Sequence, residues 1–305
     1  MRREDIMRIK DRMSAGTLIA VVTLLSSVLL APPSLVSAAP AGAVEAALPE
    51  PPTVDITYNT GSVPRTDDAF DFRPGLVRLR VTDLTSPWGS CPLWVVRLND
   101  GYTFTQWRHD QLAAVSGDLA AGARLTAKTE DVGGASTVRG YTVTSTVTLP
   151  SAGHYIMTVF RGGKNFTNPI EFDLAGEFEN RAPVSADATI VAGADGHFAG
   201  DTHLPTSGTL RFVNNDDQAN FLELVRVVPG TTTQDVLNSL ASGDPQPPWM
   251  LDGHIGMVVL ASGHSETREY LSQPDGDYVA YSLVPDATGT PAALAGMIGF
   301  VHIGA

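Results

Sequence analysis

Apolar and polar residues alternate with a period of two in many short runs along this chain. Val77, Leu79 and Val81 alternate with Arg78 and Arg80, and Thr142 to Leu149 alternates threonine or serine with valine. That is the pattern of a strand with one buried face. Gly- and Pro-containing turns separate the runs, which predicts a β-sandwich architecture. One short helix is expected in each half. Thr231 with Gln234, and Thr103 with Gln106, have capping-box spacing; Val236, Leu237 and Leu240 follow the first and Leu112 the second, and Gly243 supplies a stop.

The pattern occurs twice. Pro74-Gly-Leu-Val-Arg-Leu-Arg-Val followed by Leu93-Trp-Val-Val-Arg-Leu matches Gly208-Thr-Leu-Arg-Phe-Val followed by Leu222-Glu-Leu-Val-Arg-Val. Downstream, Val147-Thr-Leu-Pro-Ser-Ala-Gly-His-Tyr-Ile matches Tyr270-Leu-Ser-Gln-Pro-Asp-Gly-Asp-Tyr-Val. Repetition at this scale predicts two structurally equivalent units. We place them at 54–176 and 185–305, with a polar linker at 177–184.

Composition supports this reading. The 305 residues are enough for two cores, and 29 Gly with 21 Pro favour turns over long helices. A formal charge of −13 at pH 7 argues against nucleic acid or anionic membrane as a partner. With a single cysteine, Cys91, no intrachain disulfide can form. Residues 1–38 read as a cleaved export signal: Arg2, Arg3, Arg8, Lys10 and Arg12 precede the apolar run Thr17 to Leu30, and Val36-Ser37-Ala38 offers a small-residue cleavage site. The apolar run is short for a spanning helix, and Pro32 and Pro33 follow it. An Ala/Pro-rich spacer, 39–53, follows, and a secreted, extracellular protein is expected.

In the second unit Asn220-Phe-Leu-Glu-Leu-Val-Arg-Val-Val-Pro-Gly, Gly276-Asp-Tyr-Val, Val284-Pro-Asp, Gly289-Thr-Pro and Gly296-Met occur in that order. In these pieces the chain resembles the cupredoxin-like domains of secreted bacterial proteins. The resemblance implies an all-β fold of two tandem Greek-key sandwiches. It also implies where a type 1 copper site would lie, with two histidines, a cysteine and an axial methionine as ligands. The matching positions hold Asn220, Ser282, Ala292 and Met297. Serine supplies no thiolate and alanine supplies no donor, so Met297 reads as core. In the first unit Cys91 falls opposite Asn220 and Val159 opposite Ser282; Cys91 reads as a small buried hydrophobe.

Seven histidines remain as other candidates. His197 and His203, with Asp195 and Asp201, are the densest group, although Gly196, Gly200 and the alternation from Phe198 to Leu204 suggest a hairpin tip. His302 should face away from Val301 and Ile303, towards solvent, and His254 and His264 should flank a strand from Ile255 to Leu260. No hydrolase, zinc-protease or nucleotide-binding fingerprint occurs. Trp94, aligned with Glu223, is the candidate contact residue, either buried between the two units or presented to a partner. The expectation is therefore a non-enzymatic protein without a cofactor, with two metal-free domains in a structural role or binding an extracellular protein or polymer. The alternative is a copper-binding or electron-transfer protein using a set such as His197, His203 and Met297. An enzyme acting on an extracellular polymer would require a polar cleft with paired titratable groups.

Overall fold

A computed structural model describes residues 47–59, 64–84, 92–137, 140–160, 166–243, 247–286 and 288–304. The expected leader, most of the spacer, Trp88 and Cys91 lie outside the described residues. Among the described residues, no helix is long and apolar enough to cross a membrane.

One face of the first sandwich consists of β1 (Thr53–Asn59), β2 (Gly75–Leu84) and β5 (Thr142–Leu149). The other consists of β3 (Pro92–Leu98), β4 (Thr129–Ser136), β6 (Gly153–Val159) and β7 (Ile170–Leu174). Val77, Leu79 and Val81 are fully buried between them with Leu93, Val95, Tyr155 and Met157, while Arg78 and Arg80 turn outward, as the alternation requires.

In the second sandwich, β8 (Ala188–Ala192), β9 (Phe198–Gly200), β11 (Gly208–Asn214) and β14 (Ser265–Tyr270) form one face. The opposite sheet runs β10 (His203–Leu204), β16 (Ile298–Ile303), β15 (Gly276–Tyr281), β12 (Glu223–Val227) and β13 (Met250–Gly256). Leu210, Phe212, Leu222, Leu224, Tyr278 and Ile303 fill the space between the two.

One local arrangement recurs in both sandwiches. Arg97 lies directly across from Tyr155, and Arg226 lies across from Tyr278. Each tyrosine hydroxyl donates to a carbonyl four residues upstream, Ser151 at 2.7 Å and Pro274 at 2.8 Å. Each guanidinium lies over a glycine, Gly153 or Gly276, where a β carbon would stand 2.9 or 3.0 Å from Nε. A side chain at either glycine would displace the arginine, which accounts for the shared Gly-x-Tyr.

The two sandwiches share a sheet. β5 and β14 pair antiparallel, with Val147 opposite Glu266, Thr146 opposite Thr267 and Ser145 opposite Arg268, which closes one seven-stranded sheet β1-β2-β5-β14-β11-β8-β9. Glu266 is fully buried at this seam and accepts hydrogen bonds from the Ser145 hydroxyl (2.9 Å) and the Gly134 amide (3.1 Å) of the first sandwich. Arg268 is buried beside it and donates to the Gly256 carbonyl. Further along, Glu130 bridges Arg97 (3.5 Å) and His264 (2.9 Å). Within 177–184, Arg181 is buried and donates to the carbonyls of Leu76 (2.8 Å) and Arg73 (2.9 Å).

Four helices interrupt the strands among the described residues, two in each half where one was expected. α1 (Phe104–Val115) carries the Thr103–Gln106 capping box, and α2 (Leu119–Lys128) follows it, capped by Asp118. α3 (Thr233–Ser242) begins one residue later than the spacing suggested: Thr232 and Asp235 form the capping box, with the Asp235 carboxylate accepting the Thr232 amide at 2.9 Å, while the Thr231 hydroxyl donates to the Val228 carbonyl at 2.7 Å. Gly243 ends it in the left-handed region. α4 (Ala292–Ala295) is a single turn.

Burial pushes the Glu266 carboxyl up to about 7 and the Asp131 carboxyl, on β4, up to about 7 as well. Between the ordinary carboxyl range, about 4, and pH 7 the unfolded chain sheds these protons while the folded chain keeps them. Stability therefore falls as pH rises across that window and levels off above it. Urea midpoints measured from pH 5 to pH 8 should decline for the parent chain. The decline should be clearly shallower in Glu266→Gln, with Asp131 carrying what remains.

Candidate functional site

The four positions where the resemblance would place copper ligands come together at one end of the second sandwich. Ser282, just beyond β15, accepts the Phe221 amide on its hydroxyl (3.4 Å) and donates its own amide to the Met297 carbonyl (3.4 Å). The Met297 amide reaches the Ala292 carbonyl at 2.9 Å, closing the turn that carries α4. Asn220 precedes Phe221, and its backbone exchanges both hydrogen bonds with Leu260 (3.0 and 2.8 Å). All four residues are buried.

The residues present do not fit copper. Ala292 offers no donor, Ser282 a neutral hydroxyl, and Met297 a thioether packed into the core with Ala292, Leu222 and Leu224. Asn220 is committed through Nδ2 to Asp216 (2.9 Å), while its buried Oδ1 has no partner. An unpartnered amide oxygen is a weak donor for copper, and neither imidazole nor thiolate faces it from the other three positions. Burial raises the Asp216 carboxyl above the ordinary range, against the opposing pull of the hydrogen bond it accepts from Asn220.

The other candidates are scattered. Trp94 is 4% exposed and packs edge-on against Trp107 (6.4 Å) and Phe166 (5.8 Å), in a cluster that also takes in Val258, Val259 and Val284 of the second sandwich. Trp107 is fully buried on α1, and Trp249 is buried beneath α3 with Nε1 donating to Ser239 (2.9 Å). His197 and His203 do not share a hairpin tip. β9 pairs with β8 in the seven-stranded sheet, whereas β10 pairs with β16 in the opposite one, so the chain changes sheets between Gly200 and His203. His197 Nδ1 lies 3.0 Å from the Gly296 carbonyl, while the adjoining Met297 side chain points into the core, so His197, His203 and Met297 form no common site. His254 lies within β13 and pairs with Glu223, and His264 immediately precedes β14.

His302 differs most from expectation. It is half-buried rather than free in solvent, its Nδ1 2.9 Å from Asp277 Oδ1. His203 is its register partner across β10 and β16, with ring centroids 6.0 Å apart. Both line a cleft of about 400 Å³ with Val227, Thr231, Asp277 and Phe300. Sequence alone could not find this pair, because 99 positions separate its members and only the parallel pairing of β10 with β16 joins them. Among the described residues, no group of three or more His, Cys, Asp or Glu side chains is already arranged to hold a metal ion.

No protein-family model matches the chain, and no curated protein matches it. Solved structures similar to it include auracyanin A, described as a blue copper protein from the green thermophilic photosynthetic bacterium Chloroflexus aurantiacus (16% identity over 38% of this chain and 95% of that one, TM-score 0.26). Others are the Cu-containing nitrite reductase NirK from Thermus scotoductus SA-01 (14% identity, 83% of this chain and 62% of that one, TM-score 0.23) and Lac15 from a marine microbial metagenome (10%, 84% and 66%, 0.23). At these identities the likeness concerns fold alone, and the architecture rests on the sheets described above. The chain folds as two β-sandwiches, the all-β architecture that the resemblance to cupredoxin-like domains implies. Two expectations are corrected here. A non-enzymatic chain and one without a cofactor were both expected, but the similar structures are copper proteins and one is a copper-containing reductase, so the fold gives no ground for excluding either.

If the four pole positions lie as described, restoring the missing donors should rebuild a copper site. The triple variant Asn220→His, Ser282→Cys, Ala292→His should develop an intense visible thiolate-to-copper band on addition of Cu(II), absent from the parent. Omitting Ser282→Cys should abolish the band.

Proposed function

We propose that this is a copper-binding protein on a cupredoxin-like scaffold that holds its metal through imidazole nitrogen away from the pole where the fold would ordinarily place it. The observation that carries this reading is the pairing of His203 with His302 beside a cleft on the second sandwich, 6.0 Å apart between ring centroids. Imidazole suits copper well. His203 and His302 lie on neighbouring strands, β10 and β16, at the open edge of their sheet. The pole, by contrast, is closed with side chains that offer copper little.

Export fits this role. The basic and apolar pattern of residues 1–38 supports removal of a leader and release from the cytoplasm. The recurrence of the Arg-Gly-Tyr arrangement supports descent of 54–176 and 185–305 from one unit by duplication. Trp94, buried at the seam, is better suited to joining the sandwiches than to meeting a partner.

Equilibrium dialysis of the chain from residue 39 onward against Cu(II) should retain about one copper per molecule, and prior alkylation of Cys91 should leave that number unchanged. Retention of no copper would overturn the reading.

A further inference from the structure

Each sandwich has an apolar core of its own, one including Leu79 and Tyr155 and the other Leu224 and Tyr278. Besides the β5–β14 pairing and the aromatic cluster around Trp94, they are joined by the segment from Val258 to His264, which connects β13 to β14. Its backbone lies against β4 of the first sandwich: Leu260 bridges to Val132, and the Ala261 amide donates to the Asp131 carbonyl at 2.7 Å. Leu260 also exchanges both backbone hydrogen bonds with Asn220 at the pole of the second sandwich. At the end of the segment His264 Nε2 meets Glu130 Oε1 at 2.9 Å.

Glu266 stands just beyond this segment and ties it to the first sandwich. Its Oε1 accepts the Ser145 hydroxyl (2.9 Å) and its Oε2 the Gly134 amide (3.1 Å), and the Val258 amide also bonds to it. A β carbon at Gly133 would stand 2.8 Å from Oε2, so β4 approaches the carboxyl closely. The charged group that reaches Glu266 is Arg268, two residues along the same strand, which donates to the Gly256 carbonyl. Glu223, paired with His254, and the Tyr58 hydroxyl act in turn on Arg268. Among the described residues Arg268 makes no ion pair, and its buried Nε has no partner. The Glu266 carboxylate thus gains too little from its neighbours to offset loss of water, and burial pushes it up to about 7. The Ser145 hydroxyl can donate to the carboxylate or turn to accept from the acid, so it pairs with both forms.

We propose that this junction is a proton-held latch: protonated Glu266 holds the segment Val258–His264 against β4, and ionisation of Glu266 releases that segment while both sandwich cores stay folded. An ionised carboxylate is drawn towards water, and the segment over it is held by few bonds. Because Leu260 is bonded to both Val132 and Asn220, release also frees the pole of the second sandwich from the first. Asp131, half-buried on β4 between Glu130 and His264, acts in the same direction, its carboxyl pushed up by burial. Glu130 opposes them: its bond to His264 holds its carboxyl below the ordinary range, so that contact is lost only as pH falls below about 4. Between pH 5 and pH 8 release therefore runs one way, towards alkaline pH.

The test is amide hydrogen exchange of the full chain at pH 5 and pH 8, corrected for the intrinsic pH dependence of exchange. At pH 8 the Gly134 and Ala261 amides should exchange about tenfold or more faster than at pH 5, because the acid form of a group titrating near 7 has by then fallen to about a tenth. The Leu79 and Leu224 amides, inside the two cores, should keep their protection. Glu266→Gln, uncharged at both pH values and still able to accept from Ser145, should remove most of the step at Gly134 and Ala261; Asp131→Asn should reduce it by less. The proposal is overturned by the absence of a step in the parent, by a step that survives Glu266→Gln, or by equal acceleration at Leu79 and Leu224. If Glu266→Gln does not fold, Ser145→Ala decides. Removing a donor to the carboxylate makes its ionisation harder to accommodate, so a larger step supports the latch, and an equal or smaller one overturns it.

Discussion

The pairing of β5 with β14 is the constraint on which the rest of the molecule depends. Three residue pairs merge two sandwiches into one continuous seven-stranded sheet. That geometry forces Glu266 and Arg268 into the interior. Both are tolerated because the carboxylate finds the Ser145 hydroxyl and the Gly134 amide, while the guanidinium finds the Gly256 carbonyl. Buried charges gain little net stability and lose much when one partner is removed. The seam is therefore specific in register, since a slip by one residue would turn Glu266 away from its donors.

The seam also reaches the pole of the second sandwich. Leu260 bridges Asn220 on one side and Val132 of the first sandwich on the other, and the Ala261 amide donates to the Asp131 carbonyl at 2.7 Å. The end of the fold at which a cupredoxin would open to metal is here packed beside the neighbouring sandwich. Asn220 is held by Asp216, Met297 is fixed in the core, and the single turn of α4 carries Ala292. His203 and His302 lie elsewhere, along the edge formed by β10 and β16, where side chains meet solvent and a cleft.

Much of the fold could be read from the sequence because strand alternation and capping are local. Val77, Leu79 and Val81 occupy the buried face that their spacing assigns, β5 spans Thr142–Leu149 as the alternation indicates, and Thr103 with Gln106 caps α1. The alignment of Arg97 with Arg226 and of Tyr155 with Tyr278 reappears as two equivalent cross-strand pairs. The convergence of Asn220, Ser282, Ala292 and Met297 was legible too, through the order of the motifs around them. The second helix of the first half was not read, although Asp118 stands as an N-cap directly before Leu119; Gly122 in its middle weakens the helical signal. Nor was the separation of His197 from His203, because nothing in seven residues reveals that the chain crosses from one sheet to the other.

By itself, then, the sequence determined the strand faces, the all-β class and which side chains stand at Asn220, Ser282, Ala292 and Met297, all of which follow from side-chain identity and short-range period. Tertiary structure alone decided that the two units would share a sheet, that Trp94 would be buried among residues of both, and that His203 would come to lie beside His302 with Asp275, Asp277 and Gly304 around it. Those outcomes depend on which strands pair, and strand pairing joins positions far apart in the chain whose separation carries no local signal.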